Sequence, residues 1–227
     1  MYKKITHNIV EEHFDHPMAA KIKAGLRPTI TRKVLRDYGN EDIIFGRPTT
    51  EIFNKDDFTA RFESYLTNYT QKIIQITDTT AGNEEQLVTA FEDLFNFVDQ
   101  VGDFFDPFYN RELGERITTS FRHIASSITM IVHTTKAGFS TEPWIRLLTN
   151  AVVIANFQQY NDRWPRPSLE NIMSVYISDM IARTAAIKTG NQPAVDQLTN
   201  NMYSTIMLWK DAIVNGITQQ FPQRFTA

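Results

Sequence analysis

From Asn54 onward, apolar side chains recur at steps of three and four, the spacing that lays one stripe along an α-helix. Phe58, Phe62, Tyr65, Leu66, Tyr69, Ile73 and Ile76 trace a first helix up to a break at residues 79–82. Asn83 then caps a second helix. Glu84 and Glu85 sit at its positive end, Gln86 completes a box-like cap, and Leu87, Val88, Phe91, Leu94, Phe95, Val98 and Val101 form the stripe until Asp106-Pro107 stops it. The third stretch, residues 112–136, is the most regular, with Ile117, Phe121, Ile124, Ile128, Ile131 and Val132 on one face and a single His123 beside it. It closes at Ala137-Gly138, where glycine can adopt the left-handed conformation.

A fourth helix is predicted from Ser140 or Thr141, with Pro143 in its first turn and Trp144, Leu147, Leu148, Ala151, Val152 and Ala155 inward. After the stiff Trp164-Pro165-Arg166-Pro167 connector, Ser168 caps a fifth. Its inward positions read Leu169, Ile172, Val175, Tyr176 and Ile181, and Gly190-Asn191 ends it. Pro193 opens a sixth, striped by Val195, Leu198, Met202, Ile206, Trp209, Ile213 and Ile217 and stopped by Phe221-Pro222. The fold class expected is therefore all-α. It is a six-helix bundle over residues 55–227, built from three consecutive helical hairpins and preceded by an extended N-terminal arm, residues 1–54. Each hairpin repeats one order, a ring early in its first helix (Tyr65, His123, Tyr176) and a glycine at the joint (Gly82, Gly138, Gly190), which suggests a weak threefold internal repeat.

The arm differs because Pro17, Gly25, Pro28, Gly39, Gly46 and Pro48 interrupt any long helix. Its middle carries Lys21, Lys23, Arg27, Arg32, Lys33 and Arg36 without an acidic residue. A stretch of this kind suits a docking strand for an acidic partner or a phosphate backbone, although acidic residues flank it on both sides, or a solvated or self-docked arm. The net charge of −3 gives no reason to expect nucleic acid or anionic lipid as partner. Without cysteine there are no disulfides, thiolate metal sites or cysteine nucleophiles. The start has no apolar run of the signal-peptide kind, and the longest apolar run, residues 151–155, is far below the roughly 20 residues of a membrane span. A soluble protein, cytoplasmic or within a larger particle, is the expectation.

Candidate chemistry is sparse. His13 and His16 stand among Glu11, Glu12 and Asp15, but Pro17 follows and no helix preorganises them. His133 lies about 15 Å along the helix axis from His123, too far to share a metal. Asp99, Asp103 and Asp106 sit at a helix end and read as solvated. Phe104-Phe105 and Phe108-Tyr109 read as packing of a corner between hairpins rather than an exposed knob. A phosphate loop, a nucleophile elbow and a Ser/His/Asp spacing are all absent from the sequence.

Several pieces carry a resemblance over residues 58–227. They are Val101-Gly102 with Pro107-Phe108-Tyr109, His123-Ile124, Asn150-Ala151 with Ile154-Ala155 and Phe157, Trp164-Pro165 with Leu169, and the ending Asp211, Gly216-Ile217, Gln220-Phe221-Pro222, Phe225. In this order the chain resembles a family of uncharacterised small all-helical proteins of spore-forming bacteria, whose members often bear enzyme labels such as glycosyltransferase or acetylglutamate kinase that carry little weight. The resemblance implies a histidine near the start of each hairpin and an acidic pair after Asn-Ala. Those positions here are Tyr65, His123, Tyr176, Val152 and Val153. One imidazole, two neutral phenols and two valines do not make a zinc site, so no cofactor is expected. The function expected is that of a non-enzymatic structural or interaction protein whose body and arm join a larger assembly, such as a capsid or virion. Its partner is a protein or a second copy, met through the arm at Lys21, Lys23, Arg27, Arg32, Lys33 and Arg36. The alternative is a metal- or small-ligand-binding bundle with a reduced polar interior at His123, Tyr65 and Tyr176.

Overall fold

In the computed structural model, residues 51–79, 83–109, 111–137, 161–164 and 166–226 are described. Residues 1–50 of the expected arm and the expected fourth helix lie outside the described residues. Asn54 starts the first helix, α1 (Lys55–Asp78), by accepting a hydrogen bond from the Asp57 amide at 2.9 Å, while Asp56 and Asp57 meet the positive end of the helix dipole. All seven stripe residues expected on α1 are buried. The helix also buries Thr70 and Thr77, so its inner face is polar in two places.

Asn83 caps α2 (Glu84–Phe97) as expected, accepting from the Gln86 amide at 3.0 Å. The helix is shorter than its apolar spacing predicts. It gives way after Phe97 to two 3-10 turns, Val98–Gln100 and Gly102–Phe104, although Val98 and Val101 stay fully buried. The reason is a close crossing with α3 (Arg111–Ala137). A Cβ on Gly102 would sit 2.7 Å from Thr118 Oγ1 and 2.8 Å from the Gly114 carbonyl, so this backbone reaches α3 only by tightening its turns. On α3 the six expected stripe residues are buried, and burial becomes continuous from Ile124 to Val132, with Ser126, Ser127 and Thr129 included.

Helices α4 (Arg166–Lys188) and α5 (Gln192–Gln220) form a hairpin across Gly190, whose φ of +68° is the left-handed value that suits glycine. Asn191 caps α5 by accepting from the Ala194 amide at 3.3 Å. Helix α4 begins two residues before the Ser168 cap that the sequence suggests, and its inner face is also rotated from the expected one. Met173, Tyr176, Ile177 and Met180 are buried, Ile172 and Ile181 are half-buried, and Val175 is 44% exposed. Polar anchors set this face. The Tyr176 hydroxyl donates to Thr70 Oγ1 at 3.1 Å. The buried Arg183 bonds Thr77 on α1 and Thr199 on α5 and pairs with Asp78 at 2.8 Å.

Helix α5 packs on α1 as well as on α4, so the last helix returns to the first. Lys210 on α5 ties it to Glu63 on α1 at 2.9 Å. Rings fill the space between: Phe62 lies against Trp209, Phe104 and Phe105, and Phe121 bridges Tyr69 and Trp209. After α5 a 3-10 turn, Pro222–Arg224, leads into β2 (Phe225–Thr226). It pairs in parallel with β1 (Phe53–Asn54) in the register Phe53↔Phe225 and Asn54↔Thr226. No strand is expected from the sequence, since two residues carry no alternating pattern. The five helices among the described residues make the protein mostly helical, and none of them is long and apolar enough to cross a membrane.

Candidate functional site

Of the three residues marked as a polar interior, the structure brings two into one neighbourhood. Tyr65 and Tyr176 are both buried, and the phenol of Tyr69 lies near both of them. Tyr65 stacks on Phe97 with ring centroids 4.8 Å apart, and its hydroxyl and that of Tyr69 make no hydrogen bond among the described residues. Burial holds all three phenols well above the usual tyrosine range. Asp99 adds to the rise at Tyr65, and the Thr70 hydrogen bond partly offsets it at Tyr176. They are neutral at any physiological pH, and neutral phenols are poor metal ligands. His123 is half-buried on another side of α3. It follows by two residues Phe121, whose ring touches Tyr69, and two residues turn a helix by roughly 200°. Among the described residues no three His, Asp or Glu side chains are placed to hold a metal ion.

A different polar site forms where the 3-10 turns cross the start of α3. Asp99, Asp103, Asp106, Arg111, Glu115, Thr118 and Arg122 line an open cleft of about 450 Å³ floored by Gly102 and Gly114. Arg122 holds Asp99 at 2.6 Å and lies over the Phe95 ring, and Arg111 pairs with Glu115 at 3.1 Å. Asp106 is the group that the sequence reading misplaces, because it is not simply solvated. One carboxylate oxygen is enclosed against Gly114, where a Cβ would overlap it, and has no hydrogen-bond partner among the described residues. Burial, helped by the charges of Asp103 and Glu115 and opposed by Arg111, pushes its carboxyl up to about 6. No pattern in the sequence marks this, because the enclosure depends on how the first turn of α3, with Gly114 eight residues further on, folds back over the carboxyl.

The sign of the resulting pH dependence follows. Between about pH 4 and pH 6 the folded chain holds a proton at Asp106 that the unfolded chain has released, so stability falls as pH rises through that window. Asp106→Asn should remove this term. Full conversion of the shift would give ~3 kcal/mol, and screening at a half-open carboxyl reduces it to about 1 kcal/mol. Urea denaturation should show the variant more stable than the parent at pH 7.5 by that amount and nearly equal to it at pH 4. A gain of the same size at both pH values would refute the assignment.

The third candidate feature is the point where the N-terminal segment meets the body. The six arm cations, Lys21, Lys23, Arg27, Arg32, Lys33 and Arg36, lie outside the described residues, as do His13 and His16. Residues 51–54, expected to belong to the arm, are held firmly. Arg224, buried in the turn after α5, donates from Nε to the Glu51 carbonyl at 2.7 Å and from Nη1 to the Pro107 carbonyl at 3.2 Å. Its guanidinium lies 5.7 Å from the Phe53 ring centre and 5.6 Å from that of Phe108. Phe53 in turn packs on Phe58, Phe108 and Phe225. Phe105 and Phe108 are fully buried, as corner packing requires, and Phe104 and Tyr109 are half-buried.

Compared with known proteins, the chain matches no family model, no curated protein and no solved structure.

Proposed function

We propose that the protein is a non-enzymatic interaction protein in which a helical body holds, at a fixed point, an N-terminal segment that engages another protein chain in an assembly. The observation that carries this reading is the clamp at Glu51. A hydrogen-bonded, cation-stacked arginine and a parallel strand pair tie the root of the segment to both the Pro107 corner and the end of α5. A segment rooted in this way passes its binding energy directly to the body, whereas a segment on a loose linker localises a partner without orienting it. The cations of residues 21–36 give it a recognition chemistry. The resemblance of residues 58–227 to the small helical family belongs to the same proposal. So does a six-helix body of three hairpins to which residues 140–157 contribute.

Removal of residues 1–50 keeps the clamp intact and tests the reading. The shortened chain should retain its helical circular dichroism and its cooperative unfolding, while light scattering shows loss of the association displayed by the full chain. A full chain that is monomeric at tens of micromolar, and unchanged in mass by the deletion, would defeat the proposal.

A further inference from the structure

We infer that the outer seam between α4 and α5 is a self-pairing surface, on which a second copy of this chain seats its own α4 and α5 about a twofold axis. This contact makes no use of residues 1–50, so it goes beyond the assembly reading above. Residues 171–187 of α4 hold only Asp179 and Arg183 as charged residues, and residues 197–209 of α5 hold none, although 22% of the chain is charged. Arg183 is buried, and Asp179 is half-buried and accepts a hydrogen bond from Asn201 across the seam. Elsewhere the exposed sides are charged, as at Arg61 and Glu63 on α1 and Glu85 and Asp93 on α2. Depletion of charge, more than a gain in apolar area, is what sets the centre of a contact between proteins apart from ordinary surface.

The bond between Asp179 and Asn201 also fixes which residues stand level along the seam. The two helices form a hairpin and run antiparallel, so two turns back from Asp179 and two turns on from Asn201 bring Ile172 beside Leu208. Val175 lies between Ile172 and Asp179 on the solvent side. Val175 is 44% exposed and Leu208 58%, and they are two of the three large apolar side chains left exposed among the described residues. The third, Ile52, stands at the clamp. With half-buried Ile172 beneath them and exposed Ala182 and Ser204 along the same edge, they form an apolar ridge without a charged side chain standing on it.

A second copy is the occupant that this chemistry selects. Residues 1–50 carry nine cations and six carboxylates, and laying them over an uncharged seam would strip water from charges that find no partner there. Residues 138–160 join the far end of α3 to Asn161, which donates to Tyr109 just before α3 begins, so α3 is the element they are placed to cover. An identical seam brings neither difficulty, since a twofold axis sets apolar ridge against apolar ridge with no charge left to desolvate. The size also suits a pair. Seventeen residues of helix span roughly 25 Å, and two helices side by side are about 20 Å wide. That is ~500 Å² in flat projection, and side-chain relief carries the accessible area towards the ~800 Å² per partner of a standard interface. A contact at this lower end, with two aliphatic anchors and no aromatic one, should be weak, half-dissociated near about 100 µM.

The chain contains no cysteine, so Ser178→Cys on the exposed side of α4 places a single nitroxide label beside the seam of the full chain. At about 200 µM, pulsed dipolar spectroscopy should find a label-to-label distance under about 30 Å that fades on mixing with excess unlabelled chain. The distance should persist at about 500 mM salt, because no charge pair supports the contact. Adding Val175→Glu and Leu208→Glu to the labelled chain should weaken pairing at least tenfold. Both side chains are exposed, so the urea midpoint should stay where it was. If no such distance is found, the inference fails whether or not the full chain associates through residues 1–50, and the assembly reading is untouched. A short distance that survives both glutamates places the pairing on another face and also overturns the inference. So does a label already shielded from a water-soluble relaxation agent at about 5 µM, since residues of the same chain would then cover the seam.

Discussion

Replacing Trp164 with alanine is expected to destabilise the protein by about 4 kcal/mol. The indole is fully buried, its N–H donates to the Ile213 carbonyl at 3.2 Å, and it packs beside Phe105 and Tyr109 with ring centres 6.2 and 5.5 Å away. It closes the end of the bundle where the Pro107 corner meets α5. Tyr109 donates to Gln220 at 2.9 Å and accepts from Asn161 at the same distance, so the polar edge of this closure is also tied together. The seat beneath the indole is Gly216, where any Cβ would overlap the indole nitrogen and its neighbouring carbon. Glycine to alanine inside a helix normally gains about 1 kcal/mol. Here Gly216→Ala should lose about 2 to 3 kcal/mol instead, because a fully buried ring cannot move aside freely. Combining Gly216→Ala with Trp164→Phe should cost at least 1 kcal/mol less than the two separate losses added, since the smaller ring relieves the overlap. Strict additivity in urea denaturation would show that the indole does not rest on the glycine.

The parts of this fold that could be read in the sequence are those in which a helix has only one apolar side. On α1 and α3 the spacing of Phe58 to Ile76 and of Ile117 to Val132 names the buried residues directly. On α5 it does so for six of the seven residues read, with Leu198 half-buried. Helix α4 has apolar residues around much of its circumference, so periodicity could not choose between Val175 and Met173. That choice is made by Tyr176 reaching Thr70 and by Arg183 reaching Thr77, Asp78 and Thr199, contacts between residues more than a hundred positions apart in three of these four cases. The same limit hid the end of α2. Val98 and Val101 keep helical spacing while the backbone tightens, because the cause is the crossing of Gly102 with Gly114 and Thr118. Of the candidate sites, the basic stretch of the arm was legible as charge. Tyr65 and Tyr176 were legible as rings near each other, though Tyr69, which lies close to both, was read only as core. The clamp of Arg224 is defined by backbone groups more than a hundred residues away, and the enclosed carboxyl of Asp106 by a glycine only eight residues on, whose approach depends on how α3 crosses the 3-10 turns, so neither leaves a pattern in the sequence.

Arg224→Met is the second substitution expected to have a large effect, and it acts on the root of the N-terminal segment. Methionine retains most of the apolar length of the side chain, so packing against Phe53 and Phe108 should be only partly lost. The two charge-assisted hydrogen bonds to the Glu51 and Pro107 carbonyls are removed entirely, together with the cation over both rings. At 8% exposure the arginine is buried enough for these contacts to exceed surface values, and a total loss of about 3 kcal/mol follows. The damage should be local before it is global. Phe53 and Phe225 keep their aromatic neighbours, but the two-residue strand pair has too few bonds to persist without the guanidinium across its end. Exchange of the amides that the strand pair protects should therefore accelerate about a hundredfold, while amides in the middle of α1 and α5 change only as far as global stability does. If association depends on the rooted segment, the same variant should also weaken it under conditions where the body remains folded. Unchanged exchange at the strand pair, with unchanged urea midpoint, would remove the clamp from the account and leave the segment without a fixed point of departure.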